Sequence, residues 1–288
     1  MNLDDELDLN SNVLDTQHLD ILSPNGLPKL QKYASPFLVR LLSNPPKDVL
    51  DESEFMDTVA SLLSLLCGKL SSSGHSVSKF EFKNAGVIEI RETSFTEAEI
   101  GFQTWGAGIL MAKMIDENIL KVQDKDILEL GSGTGITSLV CGRMGAKSVI
   151  MTDFHPVVIE NALINIDKNQ LSDKIRCLKL DWSWCEDQEN CFLNEEDIIL
   201  RNTNWKMIIA ADCVYDPSHA RLVPKVAKHY LSKDSDARFH ICVTHRLQFM
   251  SEVEQFEKNM INEGWILEEF RWTQKHALKM RYCIYKLQ

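Results

Sequence analysis

The sequence predicts an α/β fold: a doubly wound, mostly parallel seven-stranded sheet, preceded by an N-terminal helical extension and a β-hairpin. Three observations carry this. From residue 126 onward, short strand-like apolar runs alternate with segments of helical spacing, the pattern of strand–helix–strand units. The first run leads straight into a glycine-rich turn, Gly131-Ser-Gly-Thr-Gly135. The last two runs are joined by a short link, so that pair should be antiparallel in an otherwise parallel sheet.

Residues 1–28 are polar and acidic and are broken by Pro24, Gly26 and Pro28, which predicts a flexible lead-in. A helical extension over 29–78 follows. Apolar residues recur at helical spacing in 29–43 and 53–70, and Pro45 and Pro46 separate the two runs. Ser53 suits the N-cap of the second, and Gly68 lies near its end. The main domain, 79–288, opens on alternating runs at 79–82 and 87–91 around Asn84-Ala85-Gly86, which reads as a β-hairpin. Gly108 to Ile115 suits a helix. The seven strands are expected at 126–130, 148–152, 174–180, 207–211, 239–243, 266–270 and 281–285. Helices are expected between them at 136–144, 156–168, 218–232 and 248–263, on both faces of the sheet.

The chain of 288 residues is 44% apolar and 25% charged, enough to bury a core of useful size. Its net charge is −11, which argues against direct nucleic-acid binding and suits a basic protein partner. The acidity is concentrated: residues 1–60 carry 11 Asp/Glu against 4 Lys/Arg, a net of −7, leaving −4 for the rest. Met1 to Leu9 is acidic and unlike a secretory signal, and no run approaches the ~18 apolar residues of a membrane span. The expectation is a cytoplasmic chain, with a nuclear pool left open, and nothing demands more than a monomer. Eight scattered cysteines without a C-x-x-C read as reduced, mostly buried thiols. Cys185 and Cys191 form a lone C-x5-C, a weak zinc pattern, and no metal site is expected.

The chemistry concentrates in Asp126-Ile-Leu-Glu-Leu-Gly-Ser-Gly-Thr-Gly-Ile136. Glycines after a buried strand let the backbone turn sharply and approach a ligand, and the following helix offers free N–H groups. Asp153 ends the second strand, 22 residues after Gly131, where a carboxylate can accept both ribose hydroxyls of a nucleoside. Dinucleotide enzymes favour G-x-G-x-x-G, but this chain has Gly135 and Ile136. Glu129 beside the turn would repel a pyrophosphate. S-adenosylmethionine carries an ammonium and a sulfonium instead, so the charge pattern favours that cofactor over NAD. Asp153 could also cap the helix beginning near Pro156.

From Phe102 onward the chain resembles the seven-strand, Rossmann-like S-adenosylmethionine-dependent methyltransferases, and more narrowly family 16, which contains many protein-lysine methyltransferases. The matching residues are Thr104-Trp105-Gly106, Glu129 to Gly135, Thr152-Asp153, Leu180-Asp181-Trp182, and Ala211-Asp212-Cys213-Val214-Tyr215 with its D-x-x-Y signature. The Gly101 to Gly106 stretch and the N-terminal extension look most like fungal members that modify translation elongation factors.

The resemblance implies a cofactor site formed by Trp105, Glu129, Gly131, Ser132, Gly133, Gly135, Asp153, Asp181, Trp182 and Ala211. Within it the glycine loop holds the methionine part, Asp153 the ribose, and Trp182 lies against adenine, while Trp184 serves packing. Asp212 and Tyr215 border the substrate-amine channel as the catalytic pair, Asp212 orienting the amine and Tyr215 walling the channel. Read as isolated residues, Trp105 and Tyr215 would be core, and Asp212 a helix cap or half of an ion pair. His155 is expected at the surface without a role, and His245 and Arg246 as solvated loop residues that could reach substrate. The expected function is S-adenosylmethionine-dependent protein-lysine methylation, with a translation elongation factor as the candidate substrate. A small-molecule methyltransferase, or a non-catalytic cofactor-binding partner protein, are the alternatives on the same fold.

Overall fold

The computed structural model describes residues 76–93, 103–185, 195–246, 249–275 and 278–288, together with Leu38, Leu41, Leu42, Phe55, Met56 and Val59. The chain divides into two compact units, Met1–Ser73 and Gly74–Gln288. The six positions described in the first unit are helical and fall within the two expected helical runs. The remainder of that extension, the acidic lead-in, Cys67, Cys191 and Gly101-Phe102 lie outside the described residues.

The second unit opens on the expected hairpin, β1 (Ser76–Phe82) and β2 (Gly86–Glu92). Helix α1 (Gly106–Asp116) follows, then β3 (Asp126–Leu130), α2 (Ile136–Arg143), β4 (Ser148–Asp153), α3 (Pro156–Lys168) and β5 (Ile175–Lys179). A 3-10 turn at Trp182–Cys185 and helix α4 (Glu195–Asn202) precede β6 (Met207–Ala211). The chain ends with α5 (Pro217–Tyr230), β7 (Arg238–His245), α6 (Met250–Asn262), β8 (Trp265–Lys275) and β9 (Leu278–Leu287). The seven-stranded sheet has the order β5-β4-β3-β6-β7-β9-β8. Strands β3 to β7 run parallel, and β9 pairs antiparallel with both β7 and β8. Strand order reverses between β3 and β6, and ligands of open α/β sheets bind at the strand C-termini beside such a reversal.

Two elements were not anticipated, the 3-10 turn and α4. Helix α4 has five charged or polar residues among eight and buries Leu200, so its apolar repeat is too sparse to announce a helix. The last two strands are longer than expected, because they pair along their whole length as a ribbon with one bulge between Leu267 and Glu269. Asp153 does not cap α3: that N-cap is His155.

Two cores flank the sheet, and the period-2 alternation of each strand divides its side chains between them. Ile127, Met207 and Ile209 pack with Met111, Ile115, Leu139, Val140, Ala162 and Ile166 of α1, α2 and α3. Leu128, Leu130, Ile208 and Ala210 pack on the other face with Val223, Val226, Val253 and Phe256 of α5 and α6. The hairpin adds Phe82, Ile88 and Ile90 to the first core.

Polar side chains lock the hairpin on. The buried Asp116 carboxylate accepts the backbone N–H groups of Lys83, Asn84 and Ala85 at 3.0, 2.8 and 2.7 Å. Along α3, Asn165 and Asn169 each accept from and donate to a residue of β2, Arg91 and Glu89 respectively. Their spacing of four residues puts both amides on one helix face, where they stand in for a neighbouring strand.

Candidate active site

A cavity of about 600 Å³ opens at the C-terminal rim of the sheet, between the ends of β3, β4 and β6. The turn after β3 forms its floor. Gly131, Gly133 and Gly135 all take positive φ (65°, 53° and 85°), a region where side chains are strained. Each glycine meets different surroundings. A Cβ on Gly131 would lie 3.2 Å from the Trp182 ring and 3.3 Å from Cys213 Cβ. One on Gly133 would meet nothing. One on Gly135 would overlap the Met151 ε-methyl. The loop is held by Ser132 N–H donating to Thr152 O (2.9 Å) and Gly135 N–H to Ser132 O (2.9 Å).

Of the expected site residues, Trp105, Glu129, Gly131, Ser132, Gly133, Asp153, Asp181, Trp182, Ala211, Asp212 and Tyr215 all line this cavity. Gly135 does not. It sits below the loop as the left-handed N-cap of α2, and its missing side chain makes room for Met151. Trp184 also lies away from the cavity, packed edge-on to His229 and Tyr230.

Glu129 is buried at the end of β3 and accepts from Ser138 Oγ at the first turns of α2. Burial pushes its carboxyl up to about 7, against the opposing pull of the Ser138 and Thr137 hydrogen bonds. Asp153 Oδ2 accepts from Gly133 N–H (3.1 Å), and Oδ1 from Phe154 and His155 N–H (2.8 and 3.3 Å). Burial raises its carboxyl despite those three donors. Asp181 Oδ1 accepts from Ser183 N–H (2.9 Å), which starts the 3-10 turn that carries Trp182.

On the far wall, Tyr215 stands edge-on to His219, with ring centroids 4.6 Å apart, and His219 edge-on to Trp182 at 5.4 Å. Burial lowers the His219 imidazole below its usual range, which favours the neutral ring. Asp212 forms a two-pronged ion pair with Arg246, at 2.8 and 3.1 Å. Arg246 is therefore largely buried, not solvated as expected; its side chain is 16% exposed. His155 is likewise not a plain surface residue but half-buried on the cavity wall.

Sequence reasoning missed Thr104, Thr134, His155 and His219 as lining residues. Thr104 Oγ1 lies 2.8 Å from Thr134 Oγ1, tying the stretch before α1 to the glycine loop. Only His219 carried a local signal: it falls in the first turn of α5, four residues after Tyr215, on the rim where ligands reach.

The residues present fit a nucleoside with an amino-acid tail. Ser132 Oγ and Trp182 Nε1 line the cavity buried and without a hydrogen-bond partner, and His155 Nδ1 is a third such atom. Unpaired buried polar groups are costly unless a ligand completes them. Acidic Glu129 and Asp153 favour a cationic tail and ribose hydroxyls over phosphates. Among the described residues no group of three or more His, Cys, Asp or Glu could hold a metal ion.

The chain is similar to several protein-lysine methyltransferases. The protein-lysine N-methyltransferase rrg1 of Schizosaccharomyces pombe is 27% identical, with 83% of this chain and 78% of that protein covered. The protein-lysine N-methyltransferase EFM2 of Saccharomyces cerevisiae is 24% identical over 70% of this chain, which spans half of that protein's length. Among solved structures, the 16S rRNA N2 G1207 methyltransferase of Thermus thermophilus, in complex with AdoMet and guanosine, shares the fold. Its TM-score is 0.50 at 15% identity, covering 74% of this chain and 51% of that one. A family model described as lysine methyltransferase matches residues 83–262, more than half of the 288, and spans the hairpin turn, the glycine loop and the whole cavity, so the chain belongs to the lysine methyltransferase family.

Proposed function

We propose that this chain methylates a lysine side chain of a protein substrate, with S-adenosylmethionine as the methyl donor. The observation that carries this reading is the single cavity that joins a phosphate-averse cofactor floor to the Asp212–Tyr215 wall. Its membership of the lysine methyltransferase family supports it. When bound, S-adenosylmethionine supplies an electrophilic methyl group on a sulfonium. Everything else is positioning, since an attacking nitrogen must reach about 3–3.5 Å from that carbon.

In this reading the loop residues Gly131 to Gly133 hold the methionine part, with Glu129 beneath its ammonium. Asp153 accepts the ribose hydroxyls. Trp182 walls the adenine, with Asp181 at its edge. Trp105 and Ala211 line the approach to the methyl group, while Asp212 and Tyr215 border the amine. Gly131 matters by its absent side chain, because any Cβ there would displace the Trp182 ring.

The proposed substrate is a translation elongation factor, as implied by the resemblance of Gly101 to Gly106 and of the N-terminal extension to fungal enzymes of that specificity. The acidic balance of the chain suits a basic partner. We propose a monomer acting in the cytoplasm, with access to the nucleus.

The test is transfer of a labelled methyl group from S-adenosylmethionine to proteins of an extract lacking this chain's activity. One labelled protein band is expected, with none from the Asp153→Ala variant. Label found only in small molecules, or no label despite measured cofactor binding, would overturn the reading.

A further inference from the structure

A free carboxylate beside an incoming lysine would work against methylation. It would hold the side chain as an ammonium, whose nitrogen has no lone pair to attack with. A lysine amine has a pKa of about 10.4, so only about one in a thousand is neutral at pH 7.5. An opposite charge within reach raises that pKa by a further ~1–3 units. Asp212 stands at this position, on the cavity wall two residues before Val214 and three before Tyr215.

Asp212 is not free. Arg246 Nη2 lies 2.8 Å from its Oδ2 and Nη1 lies 3.1 Å from its Oδ1. The guanidinium also lies over the Trp105 indole, 5.1 Å from the ring centroid. Trp105 and Asp212 line the cavity, whereas Arg246 stands behind them, directly after β7. One side chain thus braces two walls that are 107 residues apart in the chain. The backbone of Asp212 is left-handed, with φ +58°. A residue other than glycine keeps that strained state only where its surroundings over-determine it. Here the Arg246 fork and the Asp212 N–H bond to Cys242 O (2.8 Å) do so.

We infer that Arg246 is a positioning residue for the substrate amine: it neutralises Asp212, so that the pocket accepts the neutral amine instead of trapping the ammonium. The inference rests on the lysine-methylation reading above and deepens it. The ammonium gives its proton to water, and the uncharged nitrogen is then oriented by the lone pairs of Asp212 that Arg246 leaves open. Glu129 and Asp153 from the strand ends, and Asp181 from the 3-10 turn, face the same cavity. From the N-cap and first turns of α5 come Asp216, His219 and Arg221. His245, next to Arg246, lies in the field of Glu257, Lys279 and Arg281. The Cys213 and Cys242 thiols beside Asp212 are raised by burial and stay neutral. All of these remain when Arg246 alone is replaced, so a difference between the two forms comes from Arg246, and Arg246→Lys separates its charge from its bracing of Trp105.

The test uses n-butylammonium as the probe, added at pH 7.5 to the full chain saturated with S-adenosylhomocysteine, with binding followed by nuclear magnetic resonance. Arg246→Met should bind the probe at least about tenfold more tightly than the wild type, because Asp212 is released. Arg246→Lys, which keeps a cation, should stay near the wild type. Arg246→Met combined with Asp212→Asn should lose the gain. Equal binding by wild type and Arg246→Met, or a gain that survives Asp212→Asn, overturns the inference; a merely structural Arg246 would lower the melting temperature and leave probe binding unmoved. Should the methionine variant not fold, Arg246→Gln takes its place. A second readout is the pH profile of methyl transfer to the labelled protein. Arg246→Met should fall at least tenfold at pH 7.5 and stay well below the wild type up to pH 9.5, because both amines remain mostly charged over that range, while Arg246→Lys stays near the wild type; an equal fall in Arg246→Lys, or equal rates in Arg246→Met and the wild type, counts against the inference. Absence of any labelled protein with either form would sink the methylation reading and leave the amine-binding result to decide this one.

Discussion

Lowering the pH from 8 to 6 should weaken cofactor binding about tenfold, through one buried carboxyl. Glu129 is enclosed at the end of β3, and burial holds its pKa at about 7 in the ligand-free protein. The carboxyl is then about 90% ionised at pH 8 and about 10% at pH 6. A cofactor ammonium placed against it binds the carboxylate, so the bound state has the lower pKa and binding expels a proton. Affinity is therefore full above about pH 7 and declines below it, approaching a factor of ten per unit. For folding the sign is opposite. A carboxyl raised in the folded state from 4.5 to about 7 contributes stability that is complete below 4.5 and lost as pH rises through 7. S-adenosylhomocysteine carries the same ammonium and is a stable probe. Titration calorimetry at pH 7, in two buffers of different ionisation enthalpy, should show about half a proton released per molecule bound, and about 0.9 at pH 6. Glu129→Gln should bind weakly and release none. A dissociation constant that does not change between pH 8 and 6, or an equal slope in Glu129→Gln, refutes the reasoning. The latter outcome would move the proton to Asp153, whose carboxyl burial also raises.

Other perturbations separate the roles of neighbouring residues. Gly135→Ala should cost about 2–3 kcal/mol in a urea melt, from ~1–2 for the left-handed backbone and about 1 for moving Met151 off its rotamer. Gly133→Ala, with open space around it, should cost only the backbone part, about 1–2 kcal/mol. Asp153→Ala should weaken S-adenosylhomocysteine binding at least about tenfold by calorimetry, and it should also lower the melting temperature, since Gly133, Phe154 and His155 N–H lose their acceptor. Asp116→Ala strips a buried carboxylate from three backbone N–H groups; a loss of about 2–3 kcal/mol should appear as a melting temperature lower by roughly 5–10 °C.

Much of the fold was legible because it follows from local periodicity. Strands β3 and β6 fall where Asp126–Leu130 and Met207–Ala211 were expected, since a buried strand between two cores reads as an unbroken apolar run. The same holds for α3, whose Pro156 start is a first-turn proline. Helix α4 was not legible: one buried leucine in a charged segment leaves no repeat to read.

The candidate site divides in the same way. The sequence by itself determined the glycine turn, the acid ending β4, and the order of Trp105, Trp182 and the D-x-x-Y stretch, because each lies within a short segment tied to one strand end. Only the tertiary structure decided which of these face the cavity. It set Gly135 against Met151 and Trp184 against His229, and it brought His155 and His219 to the walls. It also paired Asp212 with Arg246 beneath Trp105, and the Asn165 and Asn169 amides with β2. Those partners lie between 16 and 141 residues apart, and no local pattern encodes them. Their contact comes from the parallel sheet, which gathers the C-terminal ends of β3, β4, β6 and β7 on one rim. There, burial turns ordinary carboxylates into groups whose charge depends on what is placed beside them.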